Sequence, residues 1–481
     1  MKTELDALHI KESSIHTLCE EYRKNNQIDP KMYEAYSVKR GLRNADGTGV
    51  LAGLTNICNV HGYVINEGER EPVEGWLSYR GINVEDIVAG CVAGNRFGFE
   101  ETVYLLLFGQ LPTREELERF MVLMGKFRDI PPTFFEDMIL KAPSNNIMNK
   151  LARSVLALYS FDDLAEDLTM ESEMVKALKL IARLPNIMVK AYQVKISHFE
   201  HQSMILHPTV PEQSTAESIL SLLRPDRQFT DEEAKLLDIC MILHAEHGGG
   251  NNSTFTCRCL TSSGTDCYSA YAGAIGSLKG FRHGGANIKC IHQLEYFKNN
   301  LENWEDMDEV ADLLTKVIQK EAGDGTGLIY GMGHAVYTLS DPRAKILKQN
   351  AKKLAMGTEF EREFNLLEAI ETLTPELMKT VKGTDKPICA NVDLYSGLVY
   401  RMLRIPEDLV TPLFACSRMA GWAAHRMEEM FTNRRIMRPA YKSMAKNRPY
   451  IPLEQRPKQR ISNPWAQVGL ACALLCVRRF A

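Results

Sequence analysis

Apolar residues recur three and four positions apart along almost the whole of a 481-residue chain, a spacing that puts them on one face of successive α-helices. Such a chain must bury helix against helix. The segment FEETVYLLLFGQLPTREELERFMVLMGKF predicts one helix that ends near Gly109 and a Leu-Pro-Thr turn with Thr113 as N-cap. A second helix follows with Glu115 and Glu116 in its first turn, and the short turn makes the two helices antiparallel neighbours. Asp341 is expected to cap another helix with Pro342 at its first position, a further helix starts near Met307, and RIPEDLVTPLFACSRMAGWAAHRMEEMF continues the pattern. Strand alternation is confined to VHGYVINEGEREPVEGWLSY, which predicts a minor β-hairpin near residues 60–79. LHPTVPEQSTAES, near residues 206 to 218, reads as an exposed loop. The fold class is mainly α.

Composition narrows the function. A length of 481 residues suits one large domain or two unequal ones, and a hydrophobic content of 45% is ordinary for a packed globular protein. A formal charge of -4 gives no overall attraction to nucleic acid or to an anionic membrane, so neither is expected as a partner. The start MKTELDALHIKESS has no apolar signal core, and no run approaches the ~20 apolar residues that span a bilayer. A cytoplasmic location is the expectation. The 12 cysteines form no C-x-x-C pair. Cys257 with Cys259, and Cys472 with Cys476, come nearest, and free thiols in a reducing compartment fit this pattern.

Short Gly-flanked patches carry the chemistry: HAEHGGGNNS around His244 and His247, GFRHGGAN around His283, GMGHAVY around His334, SDPR ending at Arg343, and NVDLYSG around Asp393. Imidazole and carboxylate move protons near neutral pH, and Gly beside them lets substrate approach the backbone. Each patch also has a plainer reading. His244 and His247, three apart on one helical face, suit core histidines at a helix end stopped by Gly248, or two ligands of a zinc hydrolase, although Glu246 is misplaced for H-E-x-x-H and no third ligand is evident. His283 opens the next helix, where the helix N-terminus is expected to keep its imidazole neutral, or it belongs to a structural turn. GMGHAVY lacks the third Gly and the preceding strand of a dinucleotide-binding loop. Asn391 is expected to cap a helix with Asp393 in its first turn.

Together, in identity, order and spacing, these patches resemble the citrate synthase family, as do GVLAGLTNICNVHGY and EGWLSYRG; the resemblance runs from about Arg40 to about Arg456. It implies a two-domain helical fold: residues 1–283 and 396–456 as the two parts of a large helical domain, 284–395 as a small one, and 457–481 as a C-terminal tail of unknown role. By the same resemblance His283, His334 and Asp393 are catalytic. His247, Arg343, Arg418 and Arg438 hold oxaloacetate, with Arg438 crossing to the neighbouring site of a homodimer. Coenzyme A is expected along Leu328 to Ala335, at Leu328, Gly331, Met332, Gly333 and Ala335, with Lys386 near its phosphates. Thr338 departs from the family, because many relatives are basic there. The implied reaction condenses acetyl-CoA with oxaloacetate and hydrolyses citryl-CoA, entering the tricarboxylic acid cycle, with no metal and no cofactor. Two alternatives share the sequence: a 2-methylcitrate synthase using propionyl-CoA, and a non-catalytic CoA-binding scaffold.

Overall fold

The computed structural model describes residues 12–456 apart from 68, 385 and 434. The expected tail, and Cys472 and Cys476, lie outside the described residues. Of the described residues, those in 12–51 and 438–456 form one compact unit and those in 52–437 another. In the described part of the first unit are helices α1 (Glu12–Asn25) and α2 (Lys31–Ala35), and a 3-10 turn over Arg40–Leu42 whose Gly41 takes φ 63°. Asp46 Oδ1 accepts from the Thr48 backbone N–H at 2.8 Å to close the next turn. Lys442 lies over the Tyr36 ring at 5.9 Å. Arg438 belongs to this unit.

The second unit opens with the hairpin that the alternation predicts. Strands β1 (Cys58–Asn66) and β2 (Glu69–Tyr79) pair antiparallel, Cys58 opposite Tyr79 and Val60 opposite Leu77, with a register shift between His61 and Tyr63. Strand β3 (Ile82–Asn83) adds to the end of β2, and Asn83 caps helix α3 (Val84–Ala93) through the Glu85 N–H. Helix α4 (Phe99–Phe108) ends on Gly109 at φ 83°, where a side chain would strain the backbone. Helix α5 (Arg114–Lys126) starts with the complete capping box of Thr113 and Glu116.

Helices α6 (Ile147–Leu158) and α7 (Met170–Phe199) follow, and then α8 (Thr215–Leu223). The exposed-loop expectation for 206–218 holds only to Ser214. There Ser214 and Glu217 form a second capping box, and residues 215–218 turn into a buried helix whose first N–H, on Thr215, donates to the buried Glu100 at 2.7 Å. Helices α9 (Asp231–His244), α10 (Asn252–Ser262), α11 (Cys267–Leu278), α12 (Ala286–Asn300) and α13 (Met307–Ile318) lead to α14 (Pro342–Ala355), α15 (Glu361–Lys382), α16 (Val392–Met402) and α17 (Val410–Glu428). Asp341 caps α14 with Pro342 in its first turn, and Asn391 caps α16, as the sequence predicts.

Helix α17 runs through the core and packs on α4, α7, α9, α10 and α11. Its Ala420, Ala423 and Ala424 are fully buried or nearly so, and these small residues let neighbours approach while Met419 and Trp422 fill the space between. The hairpin, in turn, docks on the segment between His334 and α14. Gly75 donates its N–H to Ser340 Oγ at 3.1 Å, and Lys345 pairs with Glu74 at 2.8 Å. A Cβ on Gly75 would lie 2.0 Å from the Ser340 carbonyl oxygen, and one on Gly62 2.8 Å from that of Val336, so both strands need glycine to sit this close. No helix among the described residues is long and apolar enough to cross a membrane.

Candidate active site

The site begins where α9 stops. The helix ends at His244, so His247 lies beyond it and the two imidazoles do not share a helical face. His244 points to the Tyr400 hydroxyl, 2.9 Å from its Nε2, and its ring lies 4.3 Å from that of Phe414. His247 faces the other way: its ring meets those of His334 at 5.1 Å and Tyr337 at 5.7 Å. Its Nε2 is buried without a hydrogen-bond partner. Burial first, then the charge of Arg343, holds the His247 imidazole well below its ordinary pKa, and His334, Arg418 and His283 are near enough to add to the effect. These residues therefore share one electrostatic neighbourhood. Among the described residues no three His, Cys, Asp or Glu side chains converge as a metal site.

His283 lies in the turn before α12, which starts only at Ala286. Its pKa is pushed down to about 4, by burial first and by Arg418 second. Both effects act in the direction of the neutral imidazole expected from the sequence, and both come from the tertiary surroundings of the ring. Its Nε2 is 3.1 Å from Ser253 Oγ, which also receives the Trp422 indole N–H at 3.3 Å. Ser253 thus fixes one ring nitrogen and leaves Nδ1 for another partner.

His334 is oriented by its own loop. Its Nδ1 accepts from the backbone N–H groups of Val336 and Tyr337, both at 3.1 Å, which places the ring proton on Nε2. The ring stacks on Tyr337 at 4.8 Å and 24°, and the Arg343 guanidinium lies 5.8 Å from the Tyr337 centroid. Arg343 is held by Asp341 through two bonds, Nε to Oδ1 at 3.0 Å and Nη2 to Oδ2 at 2.7 Å. Asp341 therefore both caps the helix and sets the arginine. Arg343 stays protonated, because this pairing outweighs the desolvation that opposes it.

Asp393 sits in the first turn of α16, where its N–H donates to Asn391 Oδ1 at 2.9 Å. Its carboxylate receives Asn287 Nδ2 at 3.3 Å, and burial raises its pKa above the ordinary value. Arg418, fully buried on α17, donates Nε to the His244 carbonyl at 2.7 Å, while Nη1 and Nη2 are buried with no hydrogen-bond partner. Burial and the nearby Arg343 lower its pKa, and Glu246 opposes them. Two buried cationic donors without an acceptor are costly unless a ligand supplies one. The geometry suits a carboxylate.

Residues 44–440 match the family described as citrate synthase, C-terminal domain. The chain belongs to the citrate synthase family. It is 32% identical over 413 residues to a citrate synthase of Synechocystis sp., across 85% of this chain and 92% of that protein. It is 31% identical over 368 residues to a 2-methylcitrate synthase of Shewanella oneidensis, across 76% of this chain and 87% of that one. Among solved structures it resembles citrate synthase of Thermoplasma acidophilum in ternary complex with carboxymethyl coenzyme A and oxaloacetate, with a TM-score of 0.69 and 26% identity, covering 87% of this chain and 99% of that chain.

The segment expected to meet coenzyme A is tied to the start of α16. Gly333 donates its N–H to the Cys389 carbonyl at 2.7 Å, Asn391 N–H donates to the Gly331 carbonyl at 2.8 Å, and Met332 bridges Ala390. Gly331 takes φ 84°, and a Cβ there would lie 2.8 Å from Leu394 Cα. Leu328, Ala335 and Lys386 are exposed. The Thr338 hydroxyl is buried without a hydrogen-bond partner. Sequence reading missed Ser253, Asn287 and Tyr337. All three stand inside the patches already singled out, as the last residues of HAEHGGGNNS, GFRHGGAN and GMGHAVY, but nothing local says which side chain they serve.

Proposed function

We propose that the chain is a citrate synthase that condenses acetyl-CoA with oxaloacetate and hydrolyses the citryl-CoA formed. The observation that carries this reading is the unsatisfied polar edge of the site, Arg418 Nη1 and Nη2 with His247 Nε2, set beside Arg343. A small dicarboxylate satisfies it. Arg343, Arg418 and His247 then hold oxaloacetate, with Arg438 from the neighbouring subunit. Asp393 takes a proton from the acetyl methyl group while His283 donates to the thioester oxygen, so the enolate never bears a full unsolvated charge. The enolate carbon attacks the keto carbon as His334 donates Nε2–H to the keto oxygen, which becomes the citrate hydroxyl. Water then cleaves the thioester. No step calls for a metal or redox cofactor. In this reading residues 284–395 move against the helices before and after them to admit substrate, and the burial of His247, Arg343 and Arg418 supports it.

The test is oxaloacetate-dependent release of free CoA thiol, with acetyl-CoA and propionyl-CoA side by side. Preference for acetyl-CoA is expected. A reversed preference makes the chain a 2-methylcitrate synthase, a reading favoured by its likeness to the Shewanella oneidensis protein. One methylene separates the substrates, so the ratio should lie within ~10–200-fold. No release with either substrate leaves a scaffold. The reading places the enzyme in the cytoplasm, at entry to the tricarboxylic acid cycle.

It also makes the enzyme a homodimer in which Arg438 completes the partner's site. Arg438→Ala and His283→Ala homodimers should each be nearly inactive. Refolded together in equal amounts, they should recover about a quarter of wild-type activity, because random pairing makes half the dimers mixed and each mixed dimer has one intact site. Activity that stays at the level of the separate variants would place Arg438 in its own chain's site.

A further inference from the structure

Among the contacts of the hairpin with the site, one runs through a single peptide group. Arg70, on β2, donates Nη2 to the Val336 carbonyl oxygen at 3.2 Å, and the N–H of that same peptide, on Tyr337, donates to His334 Nδ1 at 3.1 Å. The guanidinium is steadied from the other side by the Tyr63 ring, with its Cζ 4.0 Å from the ring centroid, while Gly62 leaves room for the Val336 oxygen. A cation at a carbonyl oxygen draws electron density through the amide and makes its N–H a stronger donor, since linked hydrogen bonds polarise one another. A stronger donor on Nδ1 makes the Nε2–H of the same ring a stronger donor too.

We propose that Arg70 is a positioning residue for His334: through the Val336–Tyr337 peptide it fixes the Nε2–H tautomer and strengthens the hydrogen bond that His334 makes to the keto oxygen of oxaloacetate. This rests on the reaction proposed above. The two are separable, because absence of oxaloacetate-dependent thiol release in the wild type overturns the reaction, whereas Arg70 is tested by comparison with an active wild type.

The variants are R70M, which removes both donors and charge, R70Q, which removes the charge and shortens the side chain while keeping one N–H donor group, and R70K, which restores a cation. Three quantities are read on the full-length enzyme: kcat, KM for oxaloacetate, and the infrared stretch of the keto carbonyl of bound, isotopically labelled oxaloacetate. A strong donor lowers that frequency. R70M should lose about three- to tenfold in kcat, the scale of one weakened hydrogen bond, and its carbonyl band should move toward that of free oxaloacetate. R70K should recover most of both. If R70M does not fold, as judged by its melting curve, R70Q is read by the same criteria. A neutral variant with wild-type kcat and an unmoved band overturns the proposal. So does a loss of kcat with an unmoved band, which is what a purely structural role of the hairpin would give.

Discussion

Asp393→Asn should lower turnover by at least ~10²-fold and leave oxaloacetate affinity within a few-fold. The carboxylate is the group proposed to take the methyl proton, whereas the carboxylate-binding edge consists of His247, Arg343 and Arg418. An amide fits the same place: Asn287 still has an oxygen to donate to, and the backbone N–H still donates to Asn391. Turnover therefore falls for lack of a base and not for lack of structure. The pH profile carries the same signature. Burial raises the Asp393 pKa above the ordinary 3.8, so the ionised base is lost, as pH falls, earlier than for an exposed carboxylate. The acid limb of the wild-type rate should lie above that value and be missing from the residual activity of the variant. Steady-state kinetics across pH, with calorimetric titration of oxaloacetate, checks both parts. Near-normal turnover in the folded variant would remove Asp393 as the base.

Arg418→Met should weaken oxaloacetate binding by about 10²- to 10³-fold, the loss expected when one partner of a buried, hydrogen-bonded charge pair is removed. Methionine fills much of the aliphatic volume along α17 but offers nothing to a carboxylate. In the wild type the ligand satisfies Nη1 and Nη2, which otherwise lie buried without partners. Oxaloacetate should accordingly raise the melting temperature of the wild type by several degrees and leave the variant unmoved at the same concentration. The unliganded variant should melt close to the wild type, since the change removes a desolvated cation whose other bond is one backbone contact to His244. An undiminished ligand-induced shift in the variant would mean that Arg418 does not meet the substrate.

Local chemistry was legible in the sequence and long-range chemistry was not. Thr113, Asp341 and Asn391 announce helix starts because a cap and its target N–H lie within three residues. The same signal stands in the Ser214 to Glu217 spacing, and the loop reading of 206–218 overlooked it amid prolines. The alternation between Val60 and Tyr79 gave the hairpin, but not its destination, since nothing in β2 points to Ser340, 265 residues away. For His283, the Gly-Gly after it marks the approach to a helix, but the burial and the Arg418 charge that lower its pKa are brought together only by the tertiary fold. The Arg258 Nε to His425 Nδ1 bond at 3.0 Å, and the His425 Nε2 to Glu246 contact at 2.9 Å, join segments far apart in sequence, and no pattern in any of them announces the contacts.

The two arginines on α14 and α17 differ in how they tolerate a drifting sequence. Arg343 takes its orientation from Asp341, two residues earlier, so one tripeptide carries both halves of that arrangement. Arg418 takes its orientation from a carbonyl 174 residues away. A substitution that shifts one core helix by a fraction of an ångström disturbs Arg418 and passes Arg343 by. The fit of Arg418 is therefore hostage to how α9 meets α17, while the Asp-Pro-Arg corner carries its own geometry with it.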